Sequence, residues 1–324
     1  MAARITRRGL GVLAAGGLAA PALAQEAWPN RPVRIVVPFG AGGSADIAAR
    51  NLAEALSSGL GQPFVVENRP GAGAVIGTDV VVKAAPDGYT LLMMSNTHTA
   101  NETLLPNRPY VLMRDLGAAA AVNVAHHVLA VHPSLGVNSV AELIAKAKAE
   151  PGRIDYASSG PGTPYHIAGE VFRAMAGIEI QHVPYRSSGE ARTALISGTV
   201  PMMFDAIPTM QPHVAGGRAK ALATTGPRRD PLLPDLPTVA ESGLPGYEAS
   251  IWLGVMVPAQ VPRPIVERLN GAVNAWLSRP QTREAMAKQG AQPMPMSVAD
   301  FDGFLRRDVE TQGRYVRMAR IEVN

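Results

Sequence analysis

The sequence predicts two α/β units, each a sheet with helices on its faces, joined by a chain that crosses between them twice. Short β-branched runs alternate with amphipathic stretches through the first third. The same alternation restarts near His127. A last apolar run, Ile251–Val257, is followed by helical stretches that cannot form a domain alone. Docking that tail on the first unit puts the crossings near His126 and near 247–252. Two crossings make a hinge beside a cleft.

In order, Val33–Val37 is typical of a strand buried on both faces. Ser44–Leu60 carries Ile47, Leu52, Leu56 and Leu60 at a spacing near four, one face of a helix, and Gly61-Gln62-Pro63 breaks it. Phe64–Val66 is the next strand and Val75–Ala85 the next helix. Pro86-Asp87-Gly88 turns the chain into a strand at Tyr89–Met94. In the second unit His127–Val131 is a strand, and Ser139-Val140-Ala141-Glu142 is a capping box opening a helix. Strands at Ile154–Ser158 and Ile180–Pro184 flank a helix at Pro164–Met175. Ser187-Ser188-Gly189-Glu190 is a second capping box, and Val200–Asp205 and Ala219–Thr225 are strands. A Pro-rich segment, 226–248, leads to Ile251–Val257, then to helices at Pro264–Leu277, Gln281–Gln289 and Val298–Ala319.

The composition is ordinary for a globular protein, 47% hydrophobic and 17% charged. Net charge is +4, but Arg4, Arg7 and Arg8 supply three of those charges ahead of any acid; without them the chain carries +1. With few aromatics and no basic run, nucleic acid is not an expected partner. The same arginines precede the apolar stretch 9–24, which ends in Ala22-Leu23-Ala24. Residues 1–24 therefore read as a signal peptide cut before Gln25, with export to the periplasm. Thr6-Arg7-Arg8-Gly9-Leu10 also resembles a twin-arginine signal. No later apolar stretch has the length of a membrane span. With no cysteine, disulfides, thiolate metal sites and thiol catalysis are excluded.

In a doubly wound sheet, ligands bind beyond the carboxyl ends of the strands, so the loops there are the candidate sites. The first, Phe39-Gly40-Ala41-Gly42-Gly43-Ser44-Ala45-Asp46, joins glycine backbone to a helix N-terminus, a pairing that favours an anion. Ser44 would cap the helix or reach the ligand; Asp46 complements the helix dipole more readily than it touches an anion. The second, Ser158-Ser159-Gly160-Pro161-Gly162-Thr163, repeats that logic with three hydroxyls, so the two loops could grip two oxygens of one acid. In the third, Tyr185-Arg186-Ser187-Ser188-Gly189, Arg186 is either a cation for a carboxylate or a solvated surface arginine. Asp205, ending the apolar run Val200–Phe204, would hold an amine, a hydroxyl or a water, or cap the next helix.

Enzyme patterns are missing: no G-x-S-x-G elbow, no phosphate-binding G-x-x-x-x-G-K-S/T loop and no H-E-x-x-H. Gly71–Gly77 is spaced G-x-G-x-x-x-G, unlike a dinucleotide turn, and His126-His127 oppose each other on a strand rather than converging on a metal. His166, near the second loop, is a candidate general base or a hydrogen-bonded core histidine. No catalytic residue, metal ligand or cofactor is assigned. The alternative is an exported α/β hydrolase or isomerase using His166 and Asp205.

Several stretches occur in a familiar order: "RPVRIVVPFGAGGSADIAAR", "GQPFVVENRPGAGAVIGTDVV", "PDGYTLL", "YASSGPGTPYHIAGEVF", "HVPYRSSGEA" and "LPDLPTVAESGLPGYEASIWLGVMVPAQVP". On these the chain resembles the Bug family, the TctC-like periplasmic receptors of tripartite tricarboxylate transporters. The resemblance implies a two-lobed Venus-flytrap fold, each lobe a mixed sheet flanked by helices. It places 25–126 and 251–324 in lobe 1 and 127–250 in lobe 2, with two interdomain crossovers. It implies capture of a small carboxylated solute, an organic acid or amino acid, for TctA/TctB-like permease subunits or a sensor protein. Carried onto this sequence, Phe39–Asp46 and Ser158–Thr163 hold one carboxylate through backbone groups and ordered waters. Thr97, Arg186, Ser187, Ser188 and Asp205 match the region that selects the ligand's far end. Tyr110-Val111-Leu112 departs from the family's usual Tyr-Asp-Pro.

Overall fold

The computed structural model describes residues 28–322; the signal-peptide assignment lies outside the described residues. The first elements are β1 (Val33–Val37), α1 (Ser44–Leu60), β2 (Phe64–Asn68), α2 (Val75–Val82), β3 (Thr90–Ser95), α3 (Asn96–Leu104), α4 (Leu112–Asp115) and β4 (Leu116–Val131). Next come α5 (Val140–Ala149), β5 (Ile154–Ser158), α6 (Pro164–Ala176), β6 (Ile180–Pro184), α7 (Ser188–Ile196), β7 (Met202–Ala206), α8 (Ile207–Ala215) and β8 (Lys220–Thr224). The chain ends with β9 (Ser250–Pro258), α9 (Arg263–Leu277), α10 (Pro280–Lys288), β10 (Ala291–Pro293) and α11 (Val298–Ala319).

The strands run in the order β2-β1-β3-β9-β4-β7-β5-β6, with β8 and β10 also on β4. Pairing is parallel around β1 and around β5, and antiparallel wherever β4 or β9 takes part. The alternation alone suggested parallel sheets; the sheets are mixed because β9 returns from far along the chain. The 16-residue β4 joins the two halves. It pairs with β9 as far as His126↔Ser250 and with β7 from His127↔Ala206. From sequence only His127–Val131 reads as a strand, because Ala118–Ala121 carries no β-branched signal.

Helices cover both faces of each half. On one side of the first half, Ala49, Leu52 and Leu56 of α1 pack with Val33, Ile35 and Val37. On the other, Phe301 and Leu305 of α11 pack with Val36, Leu92 and Trp252. Ile47, grouped with the α1 stripe by spacing, is 38% exposed. Five residues separate it from Leu52, a rotation of about 140° around the helix, so Ala45, Ala48 and Ala49 take that face instead. In the second half Tyr156, Phe172, Phe204 and Tyr247 form one core and Leu195, Met203 and Met210 the other. The last turns of α11 reach the second half, where Val316 and Ala319 join the Phe172 core. No helix among the described residues is long and apolar enough to cross a membrane.

Candidate functional site

Three of the predicted loops meet around one small cavity of about 30 Å³, room for a water molecule or two rather than a whole solute. Phe39, Gly40, Gly43 and Ser44 line it from the β1–α1 turn. Ser159 reaches it from the β5–α6 turn, and Arg186, Ser187 and Ser188 from the β6–α7 turn. Each turn follows a parallel strand and opens a helix, whose first N–H groups have no partner within the helix. The Arg186 guanidinium makes no hydrogen bond or ion pair among the described residues, so it is free to meet an anion. The structure adds Ser95, Tyr165 and Ile251 to the wall. No spacing rule singles these out: they end a strand, follow a helix-opening proline and sit within a strand.

The two walls touch. A Cβ added to Gly40 would stand 2.6 Å from Ser187 Cβ, and one on Gly43 would stand 3.0 Å from Ser188 Oγ. Glycine at these positions therefore lets the opposite wall approach. Ser44 Oγ and the Tyr165 hydroxyl lie 3.1 Å apart across the same gap. Ser44 does not cap α1: its N-cap is Gly43, which makes no side-chain bond.

Other predicted residues shape the walls without lining the cavity. The Asp46 carboxylate accepts from Gly42 N–H at 3.0 Å, Arg50 Nε at 3.1 Å and Asn68 Nδ2 at 3.0 Å. Burial pushes this carboxyl up, but those donors outweigh it and hold it below the usual range. Asp46 thus ties Gly42 into the turn and has little left for a ligand; Ala41 and Gly42 are exposed on the same turn. Ser158 and Thr163 both bond Gly160 O, at 3.2 and 2.7 Å, and Gly162 N–H donates to His166 at 3.1 Å. Thr97 is buried with its N–H on Ser95 Oγ at 3.2 Å, and its hydroxyl has no hydrogen-bond partner among the described residues.

Asp205, read as a ligand-facing group or a cap of the next helix, does not cap α8 and is enclosed. It accepts from Arg192 Nε at 2.7 Å and Thr209 Oγ1 at 3.0 Å. An apolar strand end is where a carboxylate must find an internal partner, and Arg192 supplies it. Burial raises the Asp205 carboxyl despite that partner. Burial and then Asp205 push up the neighbouring Tyr165 hydroxyl. His166 and Asp205 are thus engaged separately, which removes the basis for the hydrolase alternative.

His98 sits behind Phe39, their rings 6.0 Å apart. Its Nδ1 lies 3.2 Å from Ser95 N and 3.1 Å from Ser95 O, and its Nε2 lies 3.0 Å from Thr78 Oγ1. Burial lowers it from 6.5 to about 4, against a raising contribution from Ser95. The unfolded chain takes up a proton first as pH falls, so stability drops between about pH 6.5 and 4, by roughly 3 kcal/mol. Urea unfolding of His98→Asn across that range should show a shallower pH slope than the parent; equal slopes would assign the effect elsewhere.

This geometry defines the class as a two-lobed solute-binding protein. The chain belongs to the tripartite tricarboxylate transporter family receptors, matching that family over residues 48–320. It is 38% identical over 307 residues to Protein BugT of Bordetella pertussis, covering 94% of each chain. Among solved structures it resembles R. palustris Rpa4515 with adipate, at TM-score 0.88 and 34% identity over 91% of this chain and 99% of that one. It also resembles MatC from Rhodopseudomonas palustris with bound malate, at TM-score 0.85 and 29% identity over 89% and 99%. Family and neighbours are receptors and binding proteins rather than enzymes.

Proposed function

We propose that this chain captures a small carboxylated solute, an organic acid or amino acid, in the cleft between its lobes. The observation that carries this is the convergence of Gly40, Gly43 and Ser44 with Ser159 and Arg186–Ser188 on one cavity, beside a guanidinium with no partner among the described residues. Helix N-termini and hydroxyls replace the water around one carboxylate, Arg186 supplies charge, and closure excludes solvent. Phe39, Tyr165 and Ile251 offer the solute's carbon skeleton an apolar wall. The change in pairing along β4 between His126 and His127 supports lobes of 25–126 with 251–324 and of 127–250. Cleavage before Gln25 would release the receptor into the periplasm, to serve TctA/TctB-like permease subunits or a sensor protein.

A thermal-shift panel of mono-, di- and tricarboxylates, amino acids and aromatic acids tests this. At about 100 times its Kd the correct solute should add about 2.7 kcal/mol of stability. If no carboxylate stabilises the protein while an uncharged solute does, the assignment fails.

A further inference from the structure

Below the second-lobe loop lies a pair of histidines that the cavity does not use. The His166 and His182 rings stack with centroids 4.0 Å apart, and the Tyr156 ring stacks against both. Each imidazole reaches one end of the loop. His166 Nδ1 accepts from Gly162 N–H at 3.1 Å, and His182 Nε2 lies 2.6 Å from Ser158 Oγ. Ser158 Oγ in turn accepts from Gly160 N–H at 3.1 Å. The stack is braced below, where the Tyr156 hydroxyl donates to Glu170 at 2.7 Å and Glu170 pairs with Arg173.

We propose that His166 and His182 act together as positioning residues, holding Ser158–Thr163 in the shape that presents Ser159 to the solute. The proposal rests on the carboxylate-receptor reading for what the loop presents, but not for how the loop is held. Two features make the arrangement specific. Nδ1 of His166 must stay unprotonated, because a proton there would oppose the Gly162 N–H. The rings are also too close for both to carry charge. The charged and titratable groups around the pair are Glu170 and Arg173 on α6, Tyr156 on β5, and Glu179, Arg320 and Glu322 at the rim. Burial, then Arg173, lowers His166 to about 4; burial, then His166, lowers His182 to about 3. Both are neutral at ordinary pH.

The test needs no ligand. Amide hydrogen exchange is followed at Gly160 and Gly162, with Leu52 and Leu56 of α1 as internal reference. His166→Phe keeps a stacked ring and removes the acceptor. Protection of Gly162 should fall about tenfold, the equivalent of one net hydrogen bond, with the α1 amides unchanged. His166→Asn, whose Oδ1 can replace Nδ1, should restore it. In the parent protein, protection should hold at pH 5 and fall below about pH 4. Unchanged protection in His166→Phe overturns the proposal, as does equal loss in the Asn and Phe variants. A carboxylate panel that fails while these exchange results hold would sink the solute reading alone.

Discussion

Arg192→Met should destabilise the protein by about 3–5 kcal/mol, because it leaves the Asp205 carboxylate enclosed without its counter-ion. The Asp205 side chain is 0% exposed and Arg192 is 11% exposed, so solvent cannot take over the pairing. The loss should depend on pH in a definite direction. Burial already raises the Asp205 carboxyl with Arg192 present. Without the guanidinium the native state keeps a proton there at higher pH than the unfolded chain does. The native state then binds more protons, and stability rises as pH falls. Urea unfolding should therefore show a larger deficit at about pH 8 than at about pH 5. Adding Asp205→Asn should recover much of the loss by removing the stranded charge. A deficit under about 1 kcal/mol, equal at both pH values, would mean the pair is solvated in the working protein.

Gly40→Val should weaken solute binding by about 100-fold or more, roughly 2.7 kcal/mol. The added Cβ would fall 2.6 Å from Ser187 Cβ and 3.4 Å from Arg186 O, both on the opposite wall. Gly40 does not have positive φ, so its backbone accepts a side chain and the penalty falls on the contact between the two walls. Binding that is coupled to closure then carries that penalty. Calorimetry with the stabilising carboxylate, and scattering to compare lobe closure, check this. Parent-like affinity would show that the closed contact is not part of the bound state. Gly40→Ala already places the methyl 2.6 Å from Ser187 Cβ, so it should weaken binding as well, though by less than valine.

The parts of the fold legible in sequence are those whose signal is local. Val33–Val37 reads as a buried strand from its β-branched run. Ser139 and Ser187 mark α5 and α7, and both hydroxyls accept from the N–H three residues on. Elements set by distant partners were not legible. The first part of β4 is alanine-rich and is a strand because β9 pairs along it. The helix α3 begins directly at the end of β3 with no glycine or proline between, and α8 carries Pro212 inside it. Neither announces itself by pattern. Ile47 shows the same limit within a helix, where a count of residues stood in for an angle.

The candidate site divides along the same line. By itself the sequence determined that glycine-rich and hydroxyl-rich loops follow strands and open helices, the kind of turn whose free N–H groups suit an anion. It also carried the ordered stretches that mark the family. Only the tertiary structure decided which groups remain free for a solute. Asp46 and Asp205 carry the charge that drew notice, yet Arg50, Asn68, Arg192 and Thr209 occupy them. Arg186, equally ambiguous as a surface residue, keeps a guanidinium at the cavity with no partner among the described residues. Tyr165 enters the wall only because α6 brings it against Ser44, 121 positions earlier in the chain. A residue's type sets what it can bind. Whether that capacity is already spent depends on neighbours in space, which spacing along the chain does not encode.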